Sequence, residues 1–344
     1  MRDASLKTLS EIRSEVRAGS LGARWRAQVE EVNRKDSTAG KPYFELRLRD
    51  AADNMILRAW SDSPAFVSCE GLQKGDVVEV EGEFLFNGQF GLDARRWQVR
   101  QLTAAEAAEL FDGDEDRRAA IEDDFLFIEE QVTAQQDPRL RELGKLFLSE
   151  FGSRFRRASA ARHNHHAERG GLIRHTAQML RAALAIQGVY PSLNRDLLIS
   201  GVLFHDCGKL WETCPPEAGF EIPRDKRGEL LGHISIGIEL VNSLWRRLPL
   251  EDWKGITPAT EDVRLHLLHL IAAHHGSLEF GSPVEPKTPE AIALHYVDNL
   301  DARMEMFTAA YARLPEIAPG IYERARTLNV SPVQALPRFE SDTP

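Results

Sequence analysis

Five sets of metal-capable side chains, each on its own apolar helical segment, constrain this chain more than any other feature. In order they are His175, His205-Asp206, His233, His274-His275 and Asp298. The central set closes a greasy run (Leu197 to Ile199, Val202 to Phe204) and is followed at once by Cys207, Gly208 and Lys209. Burying a neutral imidazole beside a carboxylate is costly unless something binds both. A divalent cation is the natural compensation. It takes imidazole nitrogen and carboxylate oxygen together, and a carboxylate can bridge two ions. A lone His-Asp pair says little, because surface pairs and helix caps look the same. Five such sets on five successive helices are what a bundle needs to close around one or two cations in its core.

The helices are read from apolar spacing. From about 131 to 314 the period is helical throughout, beginning with Leu140, Leu143, Phe147 and Phe151. Gly171 opens the segment that carries His175. Segments 196–207, 229–247 and 261–275 carry the next three sets. Thr288 as N-cap and Pro289 at the first position start a last helix, with Asp298 and Asp301 on it. His266, His269 and His295 fit no such scheme and are read as structural. Cys207 is read as a small buried hydrophobe. Gly208 allows a tight exit, and Lys209 puts a positive charge where a phosphate would sit.

The first hundred residues follow period two instead. A short amphipathic helix (4–18) precedes candidate strands 23–33, 42–50, 54–61, 76–86 and 89–100, and a Ser63-Pro64 helix start lies between the third and fourth. That order is the order of an OB-fold, a five-stranded β-barrel that often binds single-stranded nucleic acid. Alternation places Tyr43, Arg47 and Arg49 on one face of their strand, Arg58 and Trp60 together on the next, and Arg96, Gln98 and Arg100 on the last. Aromatics among arginines suit base stacking with phosphate contact. The plain alternative is a set of solvated strand faces, with Trp60 or Tyr43 closing the barrel.

The net charge of −10 is localised: residues 101–130 hold 2 basic and 11 acidic side chains, and the flanking regions are close to neutral. An acidic total therefore does not exclude a nucleic-acid ligand. The acidic stretch reads as a solvated connector. Residues 154–169 are the most basic stretch, with Arg157 and Arg162 as candidate phosphate contacts. The domain reading is an N-terminal helix (1–20), a nucleic-acid-binding barrel (21–103), the acidic connector (104–134), the metal-binding bundle (135–330) and a loose tail (331–344). Three cysteines without paired spacing fit a reducing compartment. No segment reads as a signal or membrane span, so the expected setting is cytoplasmic.

Several blocks resemble the HD superfamily of metal-dependent phosphohydrolases: Asn164-His-His166 with Gly170-Gly-Leu-Ile-Arg-His175, Phe204-His-Asp-Cys-Gly-Lys209, and Leu230-Leu-Gly-His233. Ala273-His-His-Gly-Ser-Leu-Glu-Phe-Gly-Ser-Pro283 and Asp298-Asn-Leu-Asp-Ala302 resemble its YhaM-type 3′→5′ exoribonuclease branch. The resemblance implies an OB-fold followed by an all-α HD bundle. It implies a first metal on His175, His205, Asp206 and Asp298, and a second on His233, His274 and His275, with Asp206 bridging. Manganese is the ion it suggests; iron, cobalt or magnesium stay open. Asp206 with Lys209, His165 and His166 would serve hydrolysis of single-stranded RNA; single-stranded DNA and a homo-oligomer stay open. The alternatives are a nucleotide or cyclic-nucleotide phosphohydrolase and a non-catalytic RNA-binding adaptor. The cyclic-dinucleotide branch is disfavoured by Gly276 after the paired histidines. The adaptor predicts missing ligands, and none is missing.

Overall fold

The computed structural model describes residues 4–16, 19–51, 53–87, 91–161, 168–220 and 222–337. Arg162, His165 and His166 lie outside them. The chain forms two compact units, one of Met1–Ala119 with Pro215–Glu221 and one of Ala120–Cys214 with Ile222–Pro344.

The first unit runs α1 (Leu9–Glu15), β1 (Leu21–Asp36), β2 (Pro42–Arg49), β3 (Asn54–Trp60), α2 (Pro64–Cys69), β4 (Val77–Asn87), β5 (Gly91–Gln101) and α3 (Ala104–Asp112). The sheet is antiparallel, in the order β3-β2-β1-β4-β5. β1 is long because it serves two partners. Its first half pairs with β4 as far as Gln28↔Val77, and its second half pairs with β2 from Gln28↔Arg49 onward. β3 approaches β5, and α2 packs on both. A shared first strand, with a helix between the third and fourth, is the OB arrangement. Period-two burial explains it: Ala23, Trp25, Ala27 and Val29 face inward against Leu46, Leu48, Leu57, Val80 and Phe84. The buried Asp50 carboxylate accepts from Trp25 Nε1 (3.0 Å) and from the Leu9 backbone N–H (2.7 Å), tying α1 to the barrel. α1 is shorter than the expected 4–18, because a capping box between Thr8 and Glu11 fixes its start.

The acidic stretch is helical, and several of its acids are paired. Glu109 takes Arg26 at 2.5 Å, and Glu106 takes Arg100 at 2.6 Å. α4 (Glu115–Thr133) carries Phe125, Ile128 and Val132 into the core of the second unit.

The second unit continues through α5 (Pro138–Arg157), α6 (Gly171–Val189), α7 (Arg195–Phe204), α8 (Lys209–Glu212), α9 (Lys226–Trp245), α10 (Thr260–Ala273) and α11 (Pro289–Arg313). The bundle is not purely helical, since a hairpin of β6 (Glu316–Ala318) and β7 (Ile321–Tyr322) follows. α7 is the axle. Nearly all its residues are buried, and α5, α6, α10 and α11 pack around it. Phe204 meets Phe147 edge-on at 5.3 Å. Burying one such side chain stabilises by about 1.5–3 kcal/mol. The start of the expected loose tail is also held: Tyr322 N–H donates to Pro332 O (2.9 Å), and Gln334 N–H donates to Gly320 O (2.7 Å).

Candidate metal centre

Three of the five sets lie where a helix stops or breaks, and the other two lie within α6 and α11. His205 caps α7, Asp206 lies in the turn before α8, and Lys209 opens α8. His274 caps α10, with His275 next to it. His233 follows a break in α9 at Gly232 (φ 68°, ψ 160°), a left-handed backbone that glycine adopts without cost. His175 sits near the start of α6, and Asp298 and Asp301 lie one turn apart on α11.

Asp206 is the hub. Its Oδ2 lies 3.2 Å from His205 Nε2 and 2.6 Å from Lys209 Nζ. Its Oδ1 lies 3.5 Å from His233 Nε2 and 3.7 Å from His274 Nε2. On one side, His175 Nε2 is 3.3 Å from His205 Nε2 and 3.4 Å from Asp298 Oδ1. Ligand atoms of His175, His205 and Asp298 fall within 4.8 Å of one another, and so do those of His233, His274 and His275. His275 therefore stands with the second set.

Each ring is held by its other nitrogen. The Nδ1 atoms of His205, His274 and His275 lie 2.8, 2.8 and 2.7 Å from the carbonyls of Val202, Ile271 and Phe280. His175 Nδ1 meets Asp301 at 2.7 Å, and His233 Nδ1 meets Glu212 at 3.0 Å. Every Nε2 is thus left for the centre, which is how metal-ligating histidines are oriented. Among the described residues, three buried atoms there, Asp206 Oδ1, His233 Nε2 and His274 Nε2, have no hydrogen-bond partner. Such atoms normally find one. A nitrogen–oxygen donor set of this kind fits one or two divalent cations.

Asp301 and Glu212 were not singled out as functional from sequence. Asp301 carried a usable signal, since it lies three residues from Asp298 on the same helix. Glu212 carried none, because its contact with His233 is tertiary. Glu212→Gln or Asp301→Asn should lower metal affinity by about 10–100-fold, read by competition with a chelating dye. Wild-type affinity in both would remove their orienting role.

Burial alone would lower the His175 pKa, but hydrogen bonds with Asp298 and Asp301 outweigh it and raise it to about 9. Burial, reinforced by His205, drives His274 well below the usual histidine range. Burial would raise Asp206, but Lys209, His205 and His233 hold it well below the usual carboxylate range. At neutral pH the metal-free centre therefore keeps a proton on His175, which a ligating histidine must lose. That proton favours the metal-free fold below the ordinary pKa of 6.5, and the contribution disappears as pH rises through about 9. Loading metal at pH 7.5 should release a proton, and the release should vanish above about 9. Calorimetry in two buffers of different ionisation enthalpy reads this directly; equal heats would refute it.

Cys207 is buried in the core, as its sequence context suggests; its Sγ lies 3.9 Å from the Gly237 carbonyl, and burial pushes its thiol pKa up. Other expectations resolve differently. Arg157 bonds Ser153 within its own helix, through Oγ at 2.7 Å and the backbone carbonyl at 3.1 Å. In the barrel, a concavity gathers Tyr43, Arg58, Trp60 and Arg96 with Arg95 and Trp97. Tyr43 and Trp60 lie 4.7 Å apart, centroid to centroid. Arg47 and Arg49 are not among its lining residues and pair with Glu31 and Glu30 of β1, at 4.0 and 2.9 Å. Arg96, Gln98 and Arg100 are exposed in alternation with the buried Trp97 and Val99, and Arg95 is the extra exposed residue. A bulge opposite Gly82 gives Arg96 φ 49°, so Arg95 and Arg96 are both exposed. Arg58 and Arg96 also face acids, Glu45 at 3.1 Å and Glu83 at 2.5 Å.

Residues 172–303 match the HD domain family. Over 294 residues the chain is 32% identical to the 3′-5′ exoribonuclease YhaM of Geobacillus sp. (strain WCH70), covering 85% of each sequence. The chain belongs to the YhaM family. The HD match takes in all seven side chains around Asp206 together with Asp301 and Glu212. The OB barrel lies outside that match, and the YhaM relationship, spanning 85% of the chain, is what extends beyond it.

Proposed function

We propose that this protein is a metal-dependent 3′→5′ exoribonuclease that shortens single-stranded RNA in the cytoplasm. The observation that carries the reading is the pair of histidine sets on either side of Asp206, with its partnerless buried atoms, in a member of the YhaM family. His175, His205, Asp206 and Asp298 would hold one ion. His233, His274, His275 and Asp206 would hold the other, with manganese as the expected metal. When bound, the ions supply Lewis acidity for hydrolysis of a phosphodiester. The chain supplies the rest. Five anchored rings fix the donors, and Lys209, 2.6 Å from Asp206, places an ammonium where phosphate charge is to be balanced. His165 and His166 are proposed to add to that charge. The barrel (21–103), through Tyr43, Arg58, Trp60 and Arg96, holds the strand, with Arg47, Arg49, Arg157 and Arg162 as further phosphate contacts; the bundle (135–330) cuts it. The cytoplasmic setting is supported by three buried cysteines, Cys69, Cys207 and Cys214, with no disulfide among the described residues.

The test is a time course on 5′-labelled single-stranded RNA with manganese and with EDTA, and single-stranded DNA alongside. A ladder that shortens from the 3′ end only with metal is the expected result. Intact RNA under both conditions would move the function to a small nucleotide substrate.

A further inference from the structure

Beside the Asp206 hub lies a cavity of about 330 Å³. Lys209, His274 and His275 line it, together with side chains that ligate nothing in the metal centre: Phe280, Met306, Leu328, Asn299 and Arg303. Two of these side chains bear on what the cavity could hold. Phe280 is fixed through its carbonyl, which lies 2.7 Å from His275 Nδ1, yet the residue is 65% exposed. A large aromatic so firmly anchored and so open has no packing reason to be there. Arg303 is the second. Most arginines of this chain face an acid, but Arg303 is exposed and makes no ion pair among the described residues. Its Nε donates to Asn299 Oδ1 (3.0 Å), which steadies the guanidinium and leaves its terminal amino groups for something else.

We infer that this cavity is the subsite for the terminal nucleotide of the substrate: Phe280 stacks on the last base, and Arg303 binds the phosphate that flanks the scissile one. The inference rests on the exonuclease reading. An aromatic face suits any base, so the subsite is indifferent to sequence, as an enzyme removing one nucleotide after another requires. A planar guanidinium suits a phosphate diester. Lys209, nearly buried beside Asp206, serves the scissile phosphate, which leaves the exposed Arg303 for the next one along. Asn299 and Arg303 thereby give a purpose to the part of the Asp298-Asn-Leu-Asp-Ala302 block, and the residue just beyond it, that the metal centre leaves unused.

The experiment uses the full-length protein loaded with manganese. Phe280→Ala should raise KM for an RNA oligomer about 5–50-fold with kcat within about twofold, the range expected for one lost stacking contact. Phe280→Trp should restore KM, which a merely structural role through His275 would not allow. Arg303→Ala should raise KM at least fivefold more for a trinucleotide than for a dinucleoside monophosphate, which carries only the scissile phosphate. Equal effects on both lengths, or a Phe280→Trp variant as impaired as Phe280→Ala, would overturn the assignment. Adenosine 5′-monophosphate binding by calorimetry separates the two levels. If the wild type leaves RNA intact but Phe280→Ala weakens this binding, the exonuclease reading falls and the subsite stands. If the wild type degrades RNA and neither KM nor nucleotide affinity moves, the subsite falls alone.

Discussion

Asp206→Ala is expected to lower RNA hydrolysis by at least about 10³-fold while the protein stays folded and still binds RNA. Asp206 faces both histidine sets, with Oδ2 toward His205 and Lys209 and Oδ1 toward His233 and His274. Its loss removes a donor from both sets at once. Metal content should fall with activity, so mass spectrometry of the purified variant is the companion measurement. The barrel contributes none of these atoms, so filter binding to a long RNA should be retained. Turnover at the wild-type level would end the metal-centre account altogether.

Gly208→Ala should be nearly as damaging, for a mechanical reason. A methyl on Gly208 would run into the backbone of His233, above all its carbonyl oxygen. A side chain could rotate away, but this obstacle is main chain. The start of α9 would have to move, taking His233 away from Asp206 and from Glu212. Overpacking of this kind costs about 1–3 kcal/mol, occasionally more. A lower melting temperature and loss of one bound ion per chain are expected, read by calorimetry and metal analysis. An unchanged melting temperature with full metal content would show that α9 can yield.

Sequence anticipated the role of Gly208 for the wrong reason. Its φ of −65° is ordinary, and what it provides is room for a neighbouring helix rather than a tight exit. The same divide runs through the molecule. The barrel strands were legible to within a few residues because alternation is local. The bulge at Arg96 was not, because it depends on the register of the strand opposite. The acidic stretch misled because charge was counted without its partners. Glu122 meets Arg156 at 2.9 Å and Asp124 meets Arg181 at 2.8 Å, and the spacing of Phe125, Ile128 and Val132 already marked a core-facing helix. Metal-capable residues were legible because apolar helices rarely carry them. Their orienting partners, Glu212 and the three backbone carbonyls, come only from folding.

Those anchors carry a consequence for how the protein acquires its ion. Each ring is already turned toward the centre by a carbonyl or a carboxylate, so loading exchanges protons rather than shape. Imidazole suits several first-row divalent ions alike, so the donor types themselves single out none of them. Intrinsic preference then follows the general series in which manganese binds more weakly than iron, and iron more weakly than cobalt. If manganese is the working ion, cellular supply selects it, and the metal-free protein offered equal amounts of all three should emerge carrying cobalt.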